Sequence, residues 1–239
     1  DLKHYKGTNL MPTYVHHNCR FGHPTLVDEV GYPSYNKPAS VMMWLQNVQP
    51  ADEYIALLDS DMILREPLDP LALGARRGVV VSAEYSYLVG TETAFADRWL
   101  DPVAKALAAQ VGGFHIFHRD DLRAIAPLWL QLTREVRAFA KAEPEAYMDE
   151  SFADWARLRE TLGADELAVR RKQALWQAEM YGYAFGSARV GVATVMRSDT
   201  MLYPGYVPSA GLLPAILHYG AHYEITRHAR AVASADGIL

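Results

Sequence analysis

The sequence has a single cysteine, no long apolar run and no long run of Lys and Arg. Cys19 is the single cysteine among 239 residues, so the chain forms no internal disulfide. No stretch of about 18 consecutive apolar residues occurs, and the sequence therefore predicts no membrane-spanning helix. Lys and Arg total 23 against 28 Asp and Glu, which gives a net charge of -5 at pH 7. That balance argues against nucleic acid as a partner.

The composition and the apolar pattern predict one α/β domain over residues 1–239. Half of the residues are hydrophobic and 21% are charged, as in a globular domain with a sizeable core. Short apolar runs typical of strands alternate with stretches of helical periodicity. The expected strands lie near residues 9–16, 53–58, 78–83, 114–117 and 191–196. Helices are expected from Pro38, from Asp120 or Asp121 as the capping residue, over 92–109 with an interruption at Asp101-Pro102, and over 176–187.

Two carboxylates, Asp59 and Asp61, follow the apolar segment 53–58. Like charges this close repel each other, and burial adds to the cost, so the pair needs a positive partner. Three interpretations are open. The pair holds a divalent cation that bridges to the diphosphate of a nucleotide sugar; Asp59 is the nucleophile of a haloacid-dehalogenase-type phosphatase; or the pair caps a turn.

A third metal ligand is available near the end of the sequence. His218 lies in "AILHYG", directly after an apolar run, and its alternative role is that of a hydrogen-bonded structural histidine. One imidazole with two carboxylates suits Mn²⁺ better than Mg²⁺, although Mg²⁺ is also possible. The phosphatase interpretation instead requires a later acidic pair after a strand. Asp120 and Asp121 are the only adjacent aspartates, and they fit a helix cap better.

Four further residues are candidates for binding the donor. Asn36 and Lys37 precede Pro38 at an expected helix start, where Lys37 either pairs with a phosphate or is solvated. Gly112 and Gly113 either let the backbone approach a sugar closely or form an ordinary turn before a strand.

Glu179 is the candidate catalytic residue. It lies in an apolar, aromatic segment, "WQAEMYGY", where an unpaired charge is costly. It either binds a sugar hydroxyl or acts as a base for the acceptor, or it forms a salt bridge with Arg171 or Arg189. Three aromatic residues, Tyr85, Tyr87 and Trp99, either form a floor for the sugar or pack in the core.

Six segments in a fixed order resemble those of a known enzyme family. They are "YKGTNLMPT", "GYPSYNKPASVMMWL", "YIALLDSDMILREPL", "VGGFHIFHRDDLRAIAPLWLQLTREVR", "AEMYGYAFGSARVGV" and "MLYPGY…ILHYG". Together they resemble the peptidyl serine α-galactosyltransferases of green algae and plants, and more distantly the hydroxyproline O-arabinosyltransferases. Asp59 and Asp61 match the family's Asp-x-Asp motif, and His218 matches a histidine near the family's C-terminal end.

The resemblance implies a fold, a reaction and a cellular location. The fold is of the GT-A type, a Rossmann-like mixed sheet flanked by helices, and its first nucleotide-binding strand is expected to be missing from this chain. The donor is UDP-galactose with a divalent metal, and the acceptor is a serine of hydroxyproline-rich, extensin-type glycoproteins, with retention of configuration. The location is the lumen of the endoplasmic reticulum or Golgi, and any membrane anchor lies outside this chain. A non-catalytic module that binds a nucleotide sugar is the remaining alternative.

Overall fold

The structure is a computed structural model that describes residues 12–203, 211 and 213–220. Strands alternate with helices, and mixed sheets are flanked by helices, so the predicted α/β class is confirmed. The strands are β1 Tyr54–Leu57, β2 Met62–Leu64, β3 Val79–Glu84, β4 Val111–His118, β5 Ala193–Arg197, β6 Met201–Leu202 and β7 Ile216–His218. The helices are α1 Asn36–Val48, α2 Pro70–Leu73, α3 Pro102–Lys105, α4 Arg119–Ala142, α5 Pro144–Ser151, α6 Trp155–Thr161, α7 Ala164–Trp176 and α8 Ala178–Arg189.

Within the described part of the chain, the main sheet has four strands in the order β1-β4-β3-β5. β4 runs antiparallel to both of its neighbours, whereas β3 and β5 are parallel. β1, β3 and β5 therefore run in the same direction. Their C-terminal ends lie on the same side of the sheet as the N-terminal end of β4. Every residue of β4 is buried, which places this strand at the centre of the core.

The described residues also form a second sheet of three short strands in the order β2-β7-β6. β2 follows the Asp-x-Asp segment directly and pairs antiparallel with β7, with Met62 opposite His218. β6 lies parallel to β7 on the other side. This small sheet joins a segment near residue 60 to one near residue 218, which are distant in sequence.

Helices α4 and α8 pack closely against each other beside the main sheet. Gly182 makes the close approach possible, since a Cβ atom there would lie 2.2 Å from Oγ1 of Thr133. The indole nitrogen of Trp129 on α4 donates a hydrogen bond to the backbone oxygen of Glu179 on α8, at 3.1 Å. The α4–α8 pair thus fixes the position of the N-terminal end of α8. No helix in the described part of the chain is both long and apolar enough to cross a bilayer.

Several sequence-based expectations about elements are wrong. Residues 12–16 form no strand, and residues 9–11 lie outside the described part; the side chain of Tyr14 instead contacts Asn47 of α1. Over 92–109 the interruption expected at Asp101-Pro102 is confirmed, but residues 92–101 form no α-helix, and only the short α3 follows them. β1 is only partly buried and, among the described strands, pairs with β4 alone.

The start of α4 also differs from the expectation. His118 is the capping residue, and its ring accepts a hydrogen bond from the backbone N–H of Asp120 at 3.2 Å. Asp120 and Asp121 lie in the first turn of α4, where the negative charge of a carboxylate interacts favourably with the helix dipole. Asp121 accepts a hydrogen bond from the backbone N–H of Gly78 at 2.6 Å, so it connects α4 to the start of β3.

Candidate functional site

A cleft of about 840 Å³ opens beside the C-terminal ends of β1 and β3 and the N-terminal end of β4. Ligand sites in α/β proteins commonly lie outside the carboxyl ends of strands, and this cleft has that position. All eight candidate residues from the sequence line it: Asn36, Lys37, Asp59, Asp61, Gly112, Gly113, Glu179 and His218. The fold thus brings residues from five separate parts of the chain to one site.

Asp59, Asp61 and His218 converge at one corner of the cleft. One potential ligand atom from each lies within 4.8 Å of the other two. Nε2 of His218 is 3.3 Å from Oδ1 of Asp61. The small sheet produces this proximity, because the backbone N–H of Tyr219 donates to the backbone oxygen of Asp61 at 3.0 Å and extends the β2–β7 ladder.

The imidazole of His218 is held from its other side. Its Nδ1 atom lies 3.3 Å from the hydroxyl of Tyr85, which follows β3. Burial, and then the charge of Asp59, raise the pKa of the Tyr85 hydroxyl above its usual range, so the hydroxyl keeps its proton. A histidine ligand is typically oriented by a second partner on its other nitrogen, and Tyr85 occupies that position here.

These three side chains fit a divalent cation. Two carboxylates and one imidazole are ligands that suit Mn²⁺. In an octahedral site with bonds of about 2.2 Å, ligand atoms are separated by about 3 to 4.4 Å. The observed limit of 4.8 Å is close to that range, so small side-chain rotations suffice. Three protein ligands leave further coordination positions for substrate oxygens.

Lys37 is the positive partner that the two carboxylates need. Its ammonium lies 2.7 Å from Oδ1 of Asp59, and both side chains are partly exposed, by 23% and 32%. Lys37 lies in the first turn of α1, which begins one residue before it. The start of α1 and the Asp-x-Asp segment are thus connected across the cleft.

Asn36 lies beside Lys37, but its side chain makes structural contacts. Its oxygen accepts a hydrogen bond from the backbone N–H of Cys19 at 2.7 Å. Its amide nitrogen donates to the side chain of Asn18 at 2.9 Å. These bonds hold the 18–19 segment against the start of α1.

Gly112 and Gly113 belong to β4 and do not form a turn before it. The ladder between β3 and β4 shifts its register between Ser82 and Ala83, opposite this segment. A Cβ atom on Gly112 would lie 2.1 Å from the ring of Tyr85, and Gly113 adopts a φ of +66°. Both glycines are therefore required by the packing of Tyr85 and by the backbone conformation.

Glu179 lies in the first turn of α8 and is only 6% exposed. Burial raises its pKa from the ordinary value of 4.5 to about 7; nearby Lys37 lowers it and Asp59 raises it. The alternative salt bridges from the sequence do not form: Arg171 pairs with Glu145, and Arg189 donates to the backbone oxygen of Trp99. Glu179 is therefore a cleft carboxyl whose charge changes near neutral pH.

Aromatic side chains form one wall of the cleft. The rings of Tyr85 and Tyr87 lie 5.1 Å apart, and Tyr203 packs edge-on against Tyr85 at 5.3 Å. Trp99 is not part of this wall, because it stacks on Phe185 in the core at 5.5 Å. Two of the three aromatic residues expected from the sequence therefore face the cleft.

Sequence reasoning missed several residues that line the cleft, among them Tyr203, Trp176, Met180 and His115. His115 is 2% exposed; its Nδ1 atom lies 2.7 Å from Oγ of Ser82, and its ring lies 4.0 Å from that of Tyr183. Burial, with a smaller effect of Lys37, lowers the pKa of His115 well below 6.5, so the ring is neutral. The signal in the sequence was a polar residue inside the apolar strand segment "FHIF".

Comparisons with known proteins give one family. A family model described as "Hydroxyproline O-arabinosyltransferase family N-terminal domain" matches residues 6–150. The chain is 38% identical over 94% of its length to a peptidyl serine alpha-galactosyltransferase from Arabidopsis thaliana. It is 36% identical over 82% of its length to a protein of the same name from Chlamydomonas reinhardtii. A hydroxyproline O-arabinosyltransferase from Medicago truncatula is 27% identical over 82% of the chain and 47% of its own length.

The chain spans about a quarter of the length of the first two relatives, 25% in each case. No solved structure matches the chain significantly.

Proposed function

The chain belongs to the hydroxyproline O-arabinosyltransferase family, and on this premise we propose that it is the catalytic part of a metal-dependent glycosyltransferase. The donor is UDP-galactose, and the acceptor is a serine hydroxyl of a hydroxyproline-rich, extensin-type protein. Galactose and serine are chosen because the identity to the two peptidyl serine alpha-galactosyltransferases, 38% and 36%, exceeds the 27% identity to the arabinosyltransferase. The proposed location is the lumen of the endoplasmic reticulum or Golgi.

The observation that carries this proposal is the convergence of Asp59, Asp61 and His218 at one corner of the cleft. In the proposal these three residues hold Mn²⁺, with Mg²⁺ as the possible substitute. The bound ion supplies positive charge where the UDP diphosphate develops negative charge as it leaves. Tyr85 keeps the His218 ring in the orientation that presents Nε2 to Asp61.

Other cleft residues bind the donor. Lys37 carries the charge to pair with a phosphate oxygen, and the N-terminal turn of α1 beside it favours an anion. Gly112 and Gly113 line the cleft at the start of β4, where the absence of side chains leaves their backbone close to the ring of Tyr85. The tyrosine wall offers a flat apolar surface and hydroxyl groups, which suit a sugar ring.

In the proposal Glu179 either accepts the proton of the acceptor serine or binds a sugar hydroxyl. In the reaction the bond between galactose C1 and the diphosphate oxygen breaks, and the serine oxygen bonds to C1 and loses its proton. A carboxyl with a pKa of about 7 is matched to accept a proton near neutral pH. The product keeps the α configuration of the donor in this proposal.

Three alternatives to the metal-dependent transferase are distinguishable. Family membership favours the transferase over a phosphatase that uses Asp59 as nucleophile. A non-catalytic nucleotide-sugar-binding module would bind UDP-galactose without turnover. A turn cap would leave Asp61 with a structural role alone.

The test measures UDP release from UDP-galactose, with and without a serine-containing hydroxyproline-rich peptide, in Mn²⁺ and in chelator. The variants are Asp61→Asn and a matched control, Asp165→Asn, which changes an exposed aspartate of α7 outside the cleft. We expect Mn²⁺-dependent, peptide-stimulated UDP release in the wild type and the control, and its loss in Asp61→Asn.

Each alternative has its own outcome in this assay. Orthophosphate release from a phosphomonoester, without UDP release, would favour the phosphatase. Binding of UDP-galactose without any turnover would favour the module. Full activity of Asp61→Asn would refute a metal-held diphosphate at this motif.

A further inference from the structure

Lys37 is the only lysine or arginine among the described residues that line the cleft. Its nearest charged group is Asp59, whose Oδ1 atom lies 2.7 Å from the ammonium. Lys37 also lies close enough to lower the pKa of Glu179 and of the buried His115. The ammonium of Lys37 is therefore close to three acidic or imidazole side chains from three separate parts of the chain. One of them, Asp59, belongs to the convergent group of Asp59, Asp61 and His218.

At this position the charge of Lys37 opposes the binding of a metal ion to Asp59. A cation held by either oxygen of Asp59 would lie only one carboxylate away from the ammonium. Two positive charges at that distance repel each other, and the partly buried surroundings screen them less than water does. The pair with Lys37 also neutralises the charge of Asp59 that would attract the ion.

A diphosphate reverses this effect. Its oxygens carry negative charge, and Lys37 lines the same cleft, so the ammonium gains a second anionic partner. When Lys37 pairs with a phosphate oxygen, Asp59 becomes available to the ion, and the phosphate charge offsets the repulsion. Lysine is suited to this exchange because its ammonium is a compact charge on a flexible stem.

On the basis of the function proposed above, we propose that Lys37 couples divalent-cation binding to diphosphate binding. It opposes the cation while it pairs with Asp59 and supports the cation once it pairs with the diphosphate. Because such coupling is reciprocal, the cation must strengthen diphosphate binding by the same factor as the diphosphate strengthens cation binding. Lys37 is thus a positioning residue that makes the two ligands bind together.

The experiment measures Mn²⁺ affinity with and without UDP, by the electron paramagnetic resonance signal of free Mn²⁺ and by calorimetry. Lys37→Met removes the charge and keeps the length, whereas Lys37→Arg keeps the charge. Lys105→Met is the matched control, because Lys105 forms a 2.7 Å ion pair with Asp97, is 25% exposed and lies outside the cleft. Circular dichroism checks that each variant folds.

For Lys37→Met we expect Mn²⁺ alone to bind about fivefold more tightly than to the wild type. We expect the strengthening of Mn²⁺ binding by UDP to fall by about the same factor. Lys105→Met should match the wild type in both measurements, and Lys37→Arg, which keeps the charge, should bind Mn²⁺ alone no more tightly than the wild type does. A merely structural role of Lys37 would weaken Mn²⁺ binding under both conditions.

Two results overturn the proposal in distinguishable ways. If UDP strengthens Mn²⁺ binding equally in the wild type and Lys37→Met, or if Lys37→Met binds Mn²⁺ alone no more tightly, the coupling role is wrong and the metal site stands. If the wild type binds no Mn²⁺ even with UDP, both the coupling and the metal-dependent function are wrong. A Lys37→Met variant that does not fold leaves the comparison to Lys37→Gln.

Discussion

Replacing Glu179 by glutamine should make the protein more stable at alkaline pH. Glu179 is 6% exposed, and burial raises the pKa of its carboxyl from 4.5 to about 7. Between these two pH values the folded protein holds a proton on Glu179 that the unfolded chain has released. Stability must therefore fall as pH rises through this window, because the unfolded state binds fewer protons there.

The size of the effect follows from the two pKa values. A rise from 4.5 to about 7 corresponds to about 3 kcal/mol of lost stability above pH 7, at about 1.4 kcal/mol for each pH unit. Part of this loss is already present at about pH 5, where most unfolded chains are ionised at this position. The stability advantage of Glu179→Gln over the wild type should thus grow by about 2 to 3 kcal/mol between about pH 5 and pH 8.

The assay is urea-induced unfolding of the wild type and the variant at both pH values, in chelator, followed by circular dichroism. Using the difference between two proteins removes the titration of every group that they share. Glu160→Gln is the matched control, because Glu160 is an exposed glutamate on α6. Its stability difference from the wild type should stay constant with pH.

Two results would refute this reasoning. A Glu179→Gln advantage that is the same at both pH values would mean that Glu179 is ionised in the folded protein down to its ordinary pKa. An advantage that shrinks as pH rises would mean that Lys37 stabilises the carboxylate more than burial destabilises it. In either case the role of Glu179 as a proton acceptor near neutral pH would lose its basis.

Three further predictions concern the metal corner and the glycine strand. Asp61→Asn should leave the melting temperature in chelator unchanged or raised, because it removes one of two repelling carboxylates; a sharp fall in calorimetry would instead support a turn cap. Tyr85→Phe should weaken Mn²⁺ binding by about tenfold, since His218 loses its second partner, and an unchanged Kd would contradict the positioning role. Gly112→Ala should cost about 1–3 kcal/mol in urea unfolding, because its Cβ would lie 2.1 Å from the Tyr85 ring. Gly163→Ala is its control, as the nearest atom there is 3.9 Å away, and equal effects at both positions would refute the packing argument.

Much of the secondary structure could be read from local pattern. The apolar runs at β1, β3, β4 and β5 and the proline at the start of α1 are signals within a few residues, and each element formed close to its expected place. The failures occurred where local signals conflict or are weak. Residues 92–109 have helical composition and break at Asp101-Pro102 as expected, yet no α-helix forms before the break and only α3 forms after it.

At the site, some residues could be recognised from the sequence, whereas others, or the reasons for them, could not. The Asp-x-Asp motif, Lys37 at a helix start and Glu179 in an apolar helix were recognised from chemistry that is unusual for its surroundings. His115 was missed because a single buried histidine in a strand has no distinctive spacing, and only its contacts with Ser82 and Tyr183 explain it. The glycines of β4 were recognised, but the reason for them was not, because the Tyr85 ring that requires them comes from a distant segment that follows β3.

By itself the sequence determined the α/β class, the order of most elements and the set of chemically unusual residues, because these depend on periodicity and residue type over short distances. Only the tertiary structure decided which of those residues meet. The antiparallel register of β2 and β7 brings His218 to Asp61 across more than half of the chain. The start of α1 brings Lys37 to Asp59, and the packing of α4 on α8 places Glu179 in the same cleft. These contacts depend on strand pairing and helix packing between segments that are distant in sequence, and no local pattern specifies them.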